Sequence, residues 1–332
     1  MPGRHTFVQH GPKIQVLRSA QDMERIRPLW DSLIACGGST IFQDFGLNQL
    51  AARMFAGREE PHVICAEASW GAAIVPAVLR RNEGTVRLLG EELFDYRGFL
   101  HQGDGEVLRT ALAKLAELRC PMEIVAVRDC DRHSLPAEFP LLPFASAPKV
   151  DAGNISAEAF AAAHPRLGRN LRRMAGLGFQ LMKYGGNHPN LLHSIYKRKA
   201  GQLATCLFHD RTRIEFMVAA AQLRPEAFEI FTLERESNLA AALVTLREPC
   251  VRRFYTGWFS DELEKHSPAL TLIHEISRQS LAAGLNCDYM TGEQPYKMRL
   301  ATGAVPLFRV RMASEQLAYF GKSKMAELPA AV

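Results

Sequence analysis

Ser267-Pro268, Asp288, Glu293 and Tyr296 fall within one short stretch of the C-terminal half, and their types suit anion binding and proton transfer. Serine at the N-cap followed by proline at the first helical position starts a helix whose backbone N–H groups point outward, ready for a phosphate. Carboxylates can accept a proton and a phenol can give one. The stretch 251–297 reads VRRFYTGWFSDELEKHSPALTLIHEISRQSLAAGLNCDYMTGEQPYK. Its pattern predicts an apolar, aromatic strand, a loop ending at Ser267-Pro268, a helix, a second strand near Asp288 and a short aromatic-basic segment closing at Tyr296-Lys297. Strands on both sides place the helix start at the carboxyl end of a sheet, where ligands of α/β folds bind.

Each of these residues also has an ordinary reading. Asp288 can make a strand-end hydrogen bond and Glu293 can serve as a turn or N-cap carboxylate. Lys297 is either a surface charge or a group that holds a phosphate or carboxylate. Tyr255, Trp258 and Phe259 read as core aromatics, of which Tyr255 or Trp258 could stack on an acceptor ring. His274-Glu275 reads as a mid-helix surface pair, and Cys287, with no evident base, as an unreactive thiol.

Taken together, Phe254-Tyr255, the Ser267-Pro268 start with Leu270, and the Asp288…Gly292-Glu293…Tyr296-Lys297 ending resemble the CelD-like (BioF2-like) branch of the GNAT acyltransferases. That branch is associated with polysaccharide biosynthesis and related to FemAB-type transferases. The segment Phe94-Asp95-Tyr96-Arg97-Gly98-Phe99-Leu100 is similar to an acidic-aromatic segment of the same branch, and fainter similarity covers nearly the whole chain. The resemblance implies an α/β fold of tandem GNAT-like domains, each a mixed, largely antiparallel sheet flanked by helices. It also implies transfer of an acyl group, acetyl first, from acyl-CoA to an amine of an amino sugar or polysaccharide precursor.

In GNAT enzymes the fourth and fifth strands splay, the pantetheine arm lies in the gap and the pyrophosphate sits on the following helix. Carried onto this chain, the strand from Phe254 to Phe259 would pair with the donor arm and supply an oxyanion N–H. Backbone groups at Ser267, Pro268, Ala269, Leu270 and Thr271 would take the phosphates. Tyr296 would protonate the leaving thiolate, and Asp288 or Glu293 would take the ammonium proton directly or through water. Asp95 and Tyr96, on a loop after a strand, would hydrogen-bond a sugar-like acceptor. The chain departs from the family at one point: the usual phosphate loop is glycine-rich, whereas no glycine occurs between Gly257 and Gly284, and Ala269 stands where relatives often carry glycine.

With 332 residues, 47% hydrophobic and 23% charged, the chain can bury two cores of about 150 residues each. No apolar run approaches the roughly 18 residues of a membrane helix, and the N-terminus lacks a signal-peptide core, which predicts a cytoplasmic protein. Seven cysteines without a Cys-x-x-Cys pair and eleven histidines without ligand spacing suggest neither a disulfide framework nor a metal site.

Net charge is +5, unevenly placed: residues 166–213 hold ten basic residues against Asp210 alone, an excess of +9 that leaves −4 elsewhere. Such a block is either a solvated face or a seat for a phosphate-rich partner, a nucleotide cofactor or a tRNA. Arg166, Arg169 and Arg173 share one helical face that could clamp donor phosphates or an anionic acceptor. The basic block favours a second reading, a FemAB-type transferase drawing an aminoacyl group from tRNA. The glycine-poor loop favours a third, a catalytically degenerate binding or scaffold protein.

Periodicity divides the chain into a loose tail (1–12), a first domain (13–150), a second (151–318) and a tail (319–332). Pro136, Pro140, Pro143 and Pro148 predict a linker between the domains. The first half runs β, α, α, β, β, β, α, β. The second half repeats that grammar, with a hairpin across Glu236-Ser237-Asn238 ahead of the strand, helix and strand described above.

Overall fold

The structure, a computed structural model, describes residues 11–103, 105–132, 135, 139–236 and 238–317. Apart from Gly11 and Pro12, the two expected tails lie outside the described residues, as do Pro136 and Ser237. In chain order the elements are β1 (Lys13–Leu17), α1 (Ala20–Met23), α2 (Arg27–Ala35), α3 (Phe45–Met54), β2 (Glu59–Ala68), β3 (Gly71–Arg80), β4 (Thr85–Leu88), β5 (Leu100–Gly103), α4 (Gly105–Ala116), β6 (Met122–Arg128), α5 (Asp129–Arg132) and β7 (Leu141–Val150). They continue as α6 (Ala157–Ala163), α7 (Pro165–Gly176), β8 (Gln180–Gly185), α8 (Pro189–Gln202), α9 (Arg211–Leu223), β9 (Phe228–Arg235), β10 (Asn238–Arg247), β11 (Val251–Phe259), α10 (Pro268–Ala282), β12 (Asn286–Asp288), α11 (Pro295–Leu300) and β13 (Gly303–Met312). The chain forms two compact units, Met1–Leu142 with Phe308–Val332, and Pro143–Leu307.

In the first unit β1, β2, β3, β4 and β6 lie in that order, and β5 pairs with β3. The β2–β3 hairpin turns at Ser69-Trp70 and pairs in register from Ala68↔Gly71 to Glu59↔Arg80, so the inward residues Ile64, Ala66, Ala73 and Val75 share one face. Across that face lies α4, which presents Val107, Leu108, Ala111, Leu112 and Leu115 at helical spacing to form the core. Val310 and Met312 of β13 belong to the same core. Strand β5, absent from the sequence expectation, is four residues long and closes against the β3 start through Gly71↔Gly103. Too short to show a period, it forms by pairing with a partner already in place.

The second unit orders its strands β7-β12-β11-β10-β9-β8. The pairs from β8 through β11 are antiparallel, β11–β12 is parallel and β12–β7 antiparallel. Helix α10 packs with α6 and α7 and lies across β9, β10, β11 and β12, burying Leu272, Ile273, Ile276 and Leu281 against Phe231, Leu233, Leu243 and Phe254. Helices α8 and α9 pack on each other, with α8 also against β11.

The structure differs from the sequence expectation at the prolines. Pro143 and Pro148 lie inside β7, not in a linker, because proline is tolerated in a strand wherever its missing N–H is not needed. The Pro148 carbonyl still accepts from Tyr289 N–H at 2.9 Å. Nor does the first unit end near residue 150, since residues from Phe308 onward return to it.

Candidate active site

The parallel pair β11–β12 is short, with Val251↔Asn286, Arg252↔Cys287 and Arg253↔Asp288 as its partners. Beyond Arg253, β11 runs on to Phe259 along β10, while β12 has ended, so the Phe254–Phe259 edge of β11 on that side carries no strand among the described residues. The chain after Asp288 turns toward β7, where Tyr289 N–H bonds Pro148 O and Gly292 N–H bonds Ser146 O, both at 2.9 Å. That turn is held from within. The Asp288 carboxylate accepts Met290 N–H at 2.8 Å, Met290 sits at φ +62°, and the Lys297 ammonium donates to Thr291 O at 2.7 Å and Met290 O at 3.3 Å. A non-glycine residue in the left-handed region persists only where its surroundings over-determine it.

Directly past the fork, β11 bulges. Val244 pairs with Thr256 and Thr245 with Phe254, so Tyr255 is an extra residue with no counterpart on β10. Such an insertion bends the strand and re-aims its backbone groups, and bulges concentrate beside active sites. The fork therefore presents a length of sheet edge whose first residues are kinked outward.

Helix α10 begins close behind. Ser267 occupies the N-cap in the left-handed region (φ +48°) and its side chain makes no capping bond, contrary to the expected serine cap. The preceding 3-10 turn, Asp261–His266, runs straight into the helix; Ser267 N–H closes that turn on Glu264 O, at 2.7 Å, and forces the unusual backbone. Thr271 is buried, with its N–H on Ser267 O at 2.9 Å and its hydroxyl on His266 O at 3.3 Å. Pro268 has no N–H, which leaves those of Ala269 and Leu270 without a partner among the described residues. The buried Asn170 of α7 pins the approach by donating to His266 O at 3.0 Å.

An open cleft of about 770 Å³ lies at this carboxyl end of β11, lined by Arg173, Arg198, Arg235, Lys265 and His266, with Glu262 on its wall. Arg198 lies over the Trp258 ring at 5.0 Å, and Arg235 over Phe179 at 5.2 Å while donating to Leu177 O at 3.0 Å. Stacking keeps these guanidinium groups extended and leaves edge donors for an anion. Of the expected arginines, Arg173 lines the cleft; Arg169, on the same helix, is exposed outside it. Arg198, Arg235 and Lys265 join Arg173 in the cleft beyond the sequence expectation. Arg198 could have been found from the basic block, whereas nothing local marks Arg235 at the end of a strand.

The remaining candidates divide. Asp288 pairs with Arg253, itself buried and bidentate to Glu248 at 2.7 and 3.0 Å, so this carboxylate holds the strand end. Glu293 is exposed and accepts the Ser146 hydroxyl at 2.5 Å. Tyr296 is 39% exposed on α11, whereas Lys297, at 7%, is buried and not a surface charge. Tyr255 is half-buried, its hydroxyl on Met217 Sδ at 3.5 Å; Trp258 is buried; Phe259 gives its carbonyl to Gln202 Nε2 at 2.7 Å. Asp95 and Tyr96 belong to the first unit, the others to the second. Tyr96 is a buried core residue, edge-on to Phe42, instead of an open loop hydroxyl, because its segment folds down on the α3 approach, where Gln43 donates to Tyr96 O at 3.2 Å.

His274 and Glu275 also correct the sequence expectation, since both are buried. His274 stacks on Phe160 (5.2 Å, 17°) and meets His164 edge-on, and burial pushes its pKa down to about 4. Burial alone would raise the Glu275 carboxyl, but Arg278 and Gln279 hold it below its ordinary value. Burial pushes the Cys287 thiol up to about 12, which makes it inert. Among the described residues no group of His, Cys, Asp and Glu is arranged to hold a metal ion, and no helix is long and apolar enough to cross a membrane.

Residues 164–298 match the acetyltransferase (GNAT) domain family, a span that contains the fork, the bulge and the α10 start. That span therefore carries a GNAT-type acetyltransferase domain. The fold of the chain extends the likeness over both units. FemX superposes with a TM-score of 0.56 at 9% identity, covering 93% of this chain and 100% of that one. L-PGS from Bacillus licheniformis gives 0.53 at 8%, covering 93% and 94%. A tandem GNAT protein from the clavulanic acid biosynthesis pathway gives 0.51 at 11%, covering 90% and 98%. The likeness to these structures is one of fold, that of tandem GNAT-type domains. No curated protein matches this sequence.

Proposed function

We propose that the second unit transfers an acyl group, acetyl first, from acyl-CoA to the amine of an amino sugar or envelope precursor in the cytoplasm. The observation that carries this reading is the parted β11–β12 pair with its bulge at Tyr255, a sheet edge that a pantetheine arm can extend as an added strand. The donor's phosphates then fall at the Ala269 and Leu270 N–H groups and the arginine-lined cleft.

In the reaction the amine attacks the acyl carbon, and the carbonyl oxygen takes the negative charge beside a β11 N–H at the bulge. Collapse of that intermediate expels the CoA thiolate, which takes a proton from the Tyr296 hydroxyl. The proton lost by the amine goes to a carboxylate. Glu293, exposed and bonded at one oxygen to Ser146, suits this role better than Asp288, which is committed to Arg253.

Acetyl-CoA at about a hundred times its Kd is expected to stabilise the protein by about 2.7 kcal/mol, read as a rise in Tm. Ala269→Glu sets a carboxylate against the phosphates and removes that rise; an equal rise in the variant refutes this donor site. The arginines of the cleft and the FemX-like fold favour a second reading, an aminoacyl-tRNA donor. It predicts retention of tRNA that weakens steeply with salt, and no response to acetyl-CoA.

A further inference from the structure

Beside the cleft, the α8–α9 connection carries a feature that donor binding does not use. Leu203 and Leu207 are exposed at 53% and 37%, and among the described residues of the second unit no large apolar side chain is more exposed than Leu203. They are not on a loose loop. Cys206 N–H bonds Leu203 O at 3.0 Å, the His209 ring bonds the same carbonyl at 2.9 Å, and Asp210 caps α9 through Thr212 N–H at 2.9 Å. The turn therefore presents both leucines outward from a fixed position. Next to Leu203, Gln202 donates to Phe259 O, which ties the turn to the end of β11 and the mouth of the cleft.

The charges around this tip are predominantly basic. Lys197 and Arg198 are exposed on the last turns of α8, and Arg211, with its side chain 87% exposed, opens α9. The nearby carboxylates are engaged: Asp210 with the α9 start and Arg213, Glu215 with Arg211 at 2.7 Å. Lys197 has no partner among the described residues. Aliphatic side chains held outward inside a basic rim match an anionic lipid surface, where leucine enters the acyl boundary and the cations meet headgroups. Single-stranded RNA would instead call for aromatic stacking platforms, and this tip has two leucines in their place.

We propose that the α8–α9 tip docks the second unit on an anionic bilayer, so that the acceptor amine is presented by a lipid-linked molecule at the mouth of the cleft. The identity of the acceptor rests on the acyl-transfer reading above; the docking itself does not.

Sedimentation with vesicles of phosphatidylcholine, alone or mixed with phosphatidylglycerol, tests it. The protein is expected to sediment with the mixed vesicles at low salt, to be released by high salt and to bind pure phosphatidylcholine weakly. Leu203→Ser with Leu207→Ser is expected to lower affinity for the mixed vesicles about tenfold or more, with Tm and the acetyl-CoA response unchanged. Lys197→Glu weakens binding to mixed vesicles alone. Absence of wild-type binding to the mixed vesicles overturns the proposal, as does unchanged binding by the leucine variant. So does an outcome in which the leucine substitutions abolish self-association or tRNA retention and leave vesicle binding intact. Vesicle binding without an acetyl-CoA response would fail the donor assignment alone.

Discussion

Asp288 looks, in sequence, like a candidate base, and in three dimensions it is the anchor of the fork. Its carboxylate meets Arg253 and the Met290 N–H at once, and a single sequence cannot show that the cation thirty-five positions earlier lies opposite. Glu293 and Tyr296, three residues apart, are both exposed. These roles are separable. Asp288→Ala leaves a buried cation with less compensation and is expected to cost about 3 kcal/mol, read as a lower urea midpoint. Glu293→Gln and Tyr296→Phe are expected to leave that midpoint unchanged and to lower kcat for acetyl transfer by about a hundredfold each. A Tyr296→Phe enzyme with full turnover would remove the phenol from the reaction.

His274 makes a pH prediction at the same scale. Its mid-helix setting in sequence suggested a surface pair, because periodicity does not reveal that α6 and α7 fold over that side of α10. With its folded pKa at about 4 against an ordinary 6.5, the unfolded chain takes up the proton first as pH falls. The stability contribution is complete above pH 6.5 and is lost on acidification toward pH 4. The fall in Tm between pH 7 and pH 5 should therefore be smaller in His274→Phe, which keeps the stack on Phe160 without a titrating ring.

At the scale of elements, the strand, helix and strand of the second unit were legible because β11 and α10 are long enough to show their periods. The hairpin β9–β10 was also visible from two apolar runs around Glu236-Ser237-Asn238. What sequence could not supply was everything set by partners: the short β5 and the inclusion of prolines in β7. The left-handed entry to α10 belongs with these. Glu236 shows a cost hidden in the hairpin, since it is exposed and sits at φ +55°. Glu236→Gly relieves that backbone and is expected to add about 0.5–1 kcal/mol, seen as a higher urea midpoint. A loss of stability would mean that the Glu236 side chain makes a contact worth more than the strain.

For the molecule as a whole, repetition of element order predicted two units, and two compact units are present. The boundary was less legible. A reading along the chain assigns every residue to the domain it follows, whereas Phe308 onward rejoins the first unit, placing Val310, Met312 and Leu317 in that unit's core. Residues 1–142 expressed alone should therefore lack a cooperative thermal transition, and adding a peptide of residues 303–317 should restore one. A sharp transition in the fragment by itself would show that these three side chains are dispensable.

The return of β13 also dictates the timetable of synthesis. As the nascent polypeptide leaves the ribosome, the half made first must wait, with a seam of apolar surface open to chaperones, until the intervening half has emerged. In this protein the order of translation and the order of completion run in opposite directions.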